Sequence, residues 1–205
     1  MNDLAYLLRR DVNHLVDAEQ DAWLLDKFEG YANVSFGLQR SYEDVLPTPL
    51  RFGTTFDLLA WNDYPSTDVK WPIMSQKMLG VLQSVGEFEH RTIPVIMVDK
   101  RLARGVADQA VPLDAENHDY KVVQLLEHLE AFDWEASTYT PHPRLPNYVR
   151  RVQKLHLKTP SGGFPPLFRL TVSPAYLFVS AAAKLALEAA KVGGVQFIPL
   201  PDVRL

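Results

Sequence analysis

Two stretches of this 205-residue chain carry residue types and spacings that could do chemistry. In PLDAENHDYK, residues 112–121, Asp114 and Asp119 supply two carboxylates and Lys121 an ammonium. Metal-dependent hydrolysis uses such a set, with the carboxylates around a divalent cation and the lysine near the attacking water. Against that, the gap from Asp114 to Asp119 is too short for a hairpin between the two halves, and no strand pattern precedes Asp114. A solvated loop leading into a strand is the plainer reading. The second stretch is VDAEQDAWLLDKFE, residues 16–29, where Asp17, Glu19, Asp21, Asp26 and Glu29 face only Lys27, a local charge of −4. Such a run is either a solvated face or an acidic surface that docks a basic partner, because complementary charge speeds and orients encounter.

Other chemistries lack their residues. With no cysteine, the chain has no disulfide framework, no thiolate nucleophile and no cysteine-based zinc site. The six histidines show no H-E-x-x-H spacing, and His118 with His128 fits no zinc pattern. No G-x-S-x-G nucleophile elbow is present. Gly162–Gly163 lies between prolines as a turn, and Gly193–Gly194 follows a helix, the wrong side for cradling a phosphate. No cofactor is expected.

The elements that would position these residues alternate between short apolar runs and proline-rich loops at LPTP, TPHPRLP and TPSGGFPP. TFDLLAW (55–61) reads as a strand. SQKMLGVLQSVG (75–86) reads as a helix with Ser75 as N-cap and Gly86 as a left-handed terminator. RTIPVIMVD (91–99) reads as a strand that Pro94 pushes to an edge or a bulge. DYKVVQLLEHLEAF (119–132) suits a buried strand or a helix, YVRRVQKLHLK a half-exposed strand, and PLFRLTV another strand. The C-terminal YLFVSAAAKLALEAAKVGGVQFIPLP spells strand, helix, strand. Ser180 caps the helix, Ala182, Leu185, Ala186 and Ala189 line its inner face, and Gly193–Gly194 close it. The class is α+β: a mostly antiparallel or mixed sheet with few helices, closing on the C-terminal strand–helix–strand unit. Trp23, Trp61, Trp71 and Trp134 read as core residues, with Trp71–Pro72 an anchor.

Apolar residues make up 47% and charged residues 22% of the chain, enough for a globular core. One domain over residues 1–205 is expected, with an N-terminal lobe over 1–55 as the other division. The net charge of −4 and pI near 5.9 argue against a direct nucleic-acid or membrane-surface binder. The N-terminal MNDLAYLLRR does not read as a signal peptide, and no apolar run reaches the ~20 residues that span a bilayer. The cytoplasm is the expected compartment.

The order of DVN, DAWLL, DYPSTDVKWPIMSQKMLGVL, DYKVVQLLEHLEAFDWEAS, LFRL and LFVSAAAKLALEAAKVGGVQFIPL resembles that of the Imm11 family of immunity proteins of bacterial polymorphic toxin systems. The likeness extends over nearly the whole chain. It implies a protein that binds a cognate toxin domain, often a nuclease, and blocks it stoichiometrically. It carries no catalytic residues, and it implies a strand for LAYLLRR, although Leu4, Leu7, Leu8, Val12 and Leu15 also suit a helix. On this reading the acidic residues Asp17, Glu19, Asp21, Asp26 and Glu29 are the candidate contacts. The alternatives are a metal-dependent hydrolase or nuclease using Asp114, Asp119 and Lys121, or an oligomeric adaptor.

Overall fold

A strand buried on both faces needs no alternation of apolar and polar residues, and LAYLLRR has none. In the computed structural model, which describes residues 4–13, 20–42, 44–101 and 115–205, this segment is strand β1 (Ala5–Arg10). Ala5 and Leu7 face one core, Tyr6 and Leu8 another. The class is α+β, as the composition of elements implies. Among the described residues, β1 is followed by β2 (Trp23–Leu24), β3 (Leu50–Thr54), α1 (Phe56–Leu59), β4 (Ile73–Ser75), α2 (Gln76–Val85), β5 (His90–Asp99) and β6 (Glu116–Leu125). Then come β7 (Thr138–Pro141), β8 (Val149–Lys154), β9 (Leu167–Leu170), β10 (Ser173–Ser180), α3 (Ala181–Ala189) and β11 (Val195–Pro199).

The strands form an antiparallel sheet in the order β11-β1-β10-β9, a mixed sheet in the order β2-β3-β5-β6-β4, and the hairpin β7-β8. Among the described strands, only β3 and β5 pair in parallel. Residues 5–10 thus lie inside the first sheet and 50–54 inside the second. The C-terminal unit is split. Strands β10 and β11 each run antiparallel to β1, hence parallel to one another, with β1 inserted between them.

Three cores follow from this layering. Helices α2 and α3 pack together and share the central core, where Met78, Leu82, Ala183 and Leu187 meet Leu8 and Val179 of the first sheet and Val123 and Leu125 of the second. The outer face of the second sheet is covered by Phe36, Tyr42 and Leu46 and by Trp71, whose ring packs edge-on against Phe36 and Phe52 and whose Nε1 donates to the Val34 carbonyl. The outer face of the first sheet is covered by the hairpin and by Phe132.

Several elements depart from the pattern reading. TFDLLAW is not a strand: β3 ends before it, and Phe56–Leu59 is a helical turn whose first amide is capped by Asp99 Oδ2 at 3.1 Å. Pro94 does not force β5 to an edge. The strand lies between β3 and β6, and of the two effects expected of Pro94 the structure shows the bulge, a register irregularity between Val95 and Met97. The first part of the ambiguous segment, up to Leu125, is strand and belongs to β6, because Val122 and Val123 are buried on opposite faces. Ser75 and Ser180 cap α2 and α3 by accepting from the amides of Met78 and Ala183, but Gly86 is extended and not left-handed. The inner stripe of α3 is Ala183 and Leu187; Leu185 is 64% exposed. Trp61 and Trp134 are exposed as well, while Trp71 is core.

The double glycine after α3 is fixed by close approach. Gly194 has φ +72, and a Cβ on either glycine would overlap the Trp61 carbonyl oxygen or the Asn62 side chain. Gly80, inside α2, has open space around it. Gly193→Ala should therefore cost about 2 kcal/mol or more, whereas Gly80→Ala should gain about 0.5–1 kcal/mol from helix propensity. Urea unfolding midpoints of the two variants test this, and a neutral Gly193→Ala would contradict the close packing.

Candidate functional site

The acidic run does not survive as one surface. Asp17 and Glu19 lie outside the described residues. Asp21 is fully buried, so it is not a docking residue. Its Oδ2 accepts from the Ser66 amide at 2.7 Å, the Ser66 hydroxyl at 2.9 Å and the Asn62 amide at 3.1 Å. Sequence alone shows a carboxylate among carboxylates; the loop that folds over it comes from 45 residues further on. Asp26 and Glu29 are exposed, and with Lys27 between them they leave a net of −1.

The loop Asn62-Asp63-Tyr64-Pro65-Ser66-Thr67 is the meeting point of the structure. Asn62 Oδ1 accepts from the Tyr64 amide, and the Asn62 carbonyl accepts from the Tyr120 hydroxyl of β6 at 2.8 Å. Burial is the main cause that raises the Tyr120 phenol well above its usual range. Asp63 Oδ1 accepts from the Ser75 hydroxyl at 2.6 Å, and its Oδ2 from the Gly193 amide at 2.9 Å and from Lys77 Nζ at 3.3 Å. Lys77 also donates to the Lys191 carbonyl at 2.7 Å, the end of α3. Both carboxylates are thus consumed in joining chain segments.

Of the hydrolase set, Asp114 lies outside the described residues. Asp119 is exposed and accepts from Gln76 Nε2 at 3.3 Å; Lys121 follows on β6, opposite Pro94. Asp119 shares a cavity of about 370 Å³ with Asp63 and Lys77, where Asp63 is committed as above. Among the described residues no group of three or more histidine, aspartate or glutamate side chains is placed to hold a metal ion.

Two further surfaces were legible only in part. Glu87, Glu89 and Glu127 rim a groove of about 260 Å³ whose walls include Phe88, Leu129 and Pro165, at the seam where β5 begins, β6 has ended and β9 passes. The Leu126 amide donates to the Glu89 carbonyl and fixes the two acidic segments side by side. His128, in the same wall, is held below its usual value by burial and then by the charge of Arg169, so it adds no cation at neutral pH. The alternation E-F-E at 87–89 was the available signal, since it puts both carboxylates on one side of an extended chain. The second surface is a cavity of about 450 Å³ between the end of β1, β9 and the loop, lined by Arg10, Arg169, Tyr64, Thr67 and Lys70 among others. Burial pulls the Arg169 guanidinium down to about 10; Tyr64 opposes this fall and the positive Arg10 adds to it.

Comparison of the chain with protein-family models and with curated proteins gives no match in either. Among the described residues, no helix is long and apolar enough to cross a membrane.

Asp21→Ala should strand the Ser66 amide and hydroxyl in a dry site and cost about 3 kcal/mol, whereas Asp26→Ala should stay within about 0.5 kcal/mol of the parent. Thermal and urea unfolding of both variants would show it. Equal, small effects would mean that Asp21 is not the anchor described.

Proposed function

We propose that this chain is an immunity protein that binds a cognate, basic toxin domain in the bacterial cytoplasm and neutralises it by a stoichiometric complex. The observation that carries this reading is the groove at the seam of the two sheets. Three carboxylates, Glu87, Glu89 and Glu127, surround an apolar floor, and no lysine or arginine among the described residues lies in its wall. A cation-free acidic rim is unfavourable for the isolated protein and favourable opposite a basic partner, whose approach it would steer. The apolar floor offers the dry centre that a tight interface needs, within a burial of about 1,600 Å² in total.

The likeness to the Imm11 family supports the same reading. Its most specific pieces, WPIMS and the segment ending in GGVQF, are neighbours in space: Asp63 bridges Ser75 to Gly193, 130 residues away in sequence. These pieces are spent on the scaffold, which leaves recognition to exposed rims that can differ between family members. Asp26 and Glu29 form a smaller acidic site and take second place as contacts.

Co-expression in one bacterial cytoplasm with the product of the gene immediately upstream tests the proposal. The wild-type chain is expected to restore growth and to co-purify at one to one. A variant carrying Glu87→Lys, Glu89→Lys and Glu127→Lys is expected to fold, lose co-purification and fail to protect, while Asp26→Lys with Glu29→Lys retains protection. A neighbour that is harmless, or that kills regardless of the wild-type chain, would refute the reading; protection by the triple variant would refute the groove.

A further inference from the structure

Arg169, on β9, is only 4% exposed and has no carboxylate partner among the described residues. Its Nη1 donates to the Pro174 carbonyl at 2.6 Å, and its Nε donates to nothing. Arg10, at the end of β1, opens on the same cavity. Its Nη2 donates to the carbonyls of Trp71 at 2.5 Å and Lys70 at 3.3 Å, its guanidinium carbon lies 4.9 Å over the Tyr64 ring, and its Nε is also unpartnered. The Thr67 hydroxyl is buried against this cavity without a partner. Arg9 and Lys70 bring further positive charge to the wall, and no described lining residue is acidic.

A buried guanidinium is normally retained because an anion neutralises it. Water can satisfy its donors but cannot cancel the charge of buried Arg169 with half-buried Arg10 on the same cavity. A carboxylate offers one charge and two oxygens. Two guanidiniums, an ammonium and a hydroxyl instead match a dianion with three acceptor oxygens, the geometry in which arginine binds phosphate well. The cavity, at about 450 Å³, is within the ~300–1,000 Å³ range of small-molecule sites. Its remaining wall contains Tyr64, Tyr176 and Leu177, surfaces suited to an organic body and not to a free ion alone.

We propose that the cavity between Arg10 and Arg169 binds a phosphoryl dianion, carried as the monoester of a small, partly aromatic molecule. The proposal does not depend on the toxin reading.

Isothermal titration and thermal unfolding of the full chain with inorganic phosphate, adenosine monophosphate and adenosine, against sodium chloride at matched ionic strength, test this. Both phosphate probes are expected to bind and raise Tm, adenosine not to. Tighter binding of the monophosphate assigns the site to an ester, and equal binding assigns it to the free anion. Arg169→Met is expected to weaken binding at least tenfold while unfolding no lower than the parent in phosphate-free buffer, since a methionine stem fills the same space without the charge. Thr67→Val, which changes shape little, is expected to weaken binding severalfold. Undiminished binding to Arg169→Met, an equal response to adenosine, or a Tm rise that sodium chloride reproduces would overturn the proposal.

Discussion

The buried carboxylate of Asp21 holds a loop on which both sheets depend. A carboxylate without solvent is tolerated only when donors surround it, and here the donors are the Ser66 amide, the Ser66 hydroxyl and the Asn62 amide. With the loop so fixed, the Asn62 carbonyl holds the second sheet through Tyr120, and the Asp63 carboxylate holds the start of α2 through Ser75 and the turn after α3 through Gly193. The double glycine is required because nothing larger admits the Trp61–Asn62 backbone. A few polar side chains thereby set the angle at which two sheets and two helices enclose the central core.

That arrangement explains why so regular a C-terminal unit carries no chemistry. Strand β10, helix α3 and strand β11 enclose β1 and present their ends to the loop. Function is left to what lies around them. The acidic groove and the cationic cavity both adjoin β9, the groove at Leu167 and Phe168 and the cavity at Arg169, whose charge adds to burial in holding His128 of the groove wall below its usual value.

Elements governed by local rules were legible in the sequence. Ser75 and Ser180 are caps because a hydroxyl before an apolar helical run has an amide three residues on to accept from, but the left-handed residue that ends α3 is Lys191 (φ 51) and not a member of the double glycine. What tertiary packing decides was not legible. The inner stripe of α3 could be 182-185-186-189 or 183-187 by periodicity, and the position of α2 selects the second. Pro94 is tolerated in an inner strand because a register shift lies beside it. Asp21 looked like one more solvated acid because its partners lie 41 and 45 residues downstream. Arg169 read as an ordinary strand residue in FRL, and its isolation from carboxylates appears only in three dimensions.

Native-state hydrogen exchange addresses the dependence of the fold on this loop. The amides of Ser66 and Gly193 are donors to Asp21 and Asp63 and come from widely separated parts of the chain. If the loop is the joint of the structure, both exchange only through global unfolding, with the same free energy and the same urea dependence as the strands of each sheet. Exchange of either amide through a low-energy local opening, while the core of both sheets stays protected, would show that the sheets hold together without it.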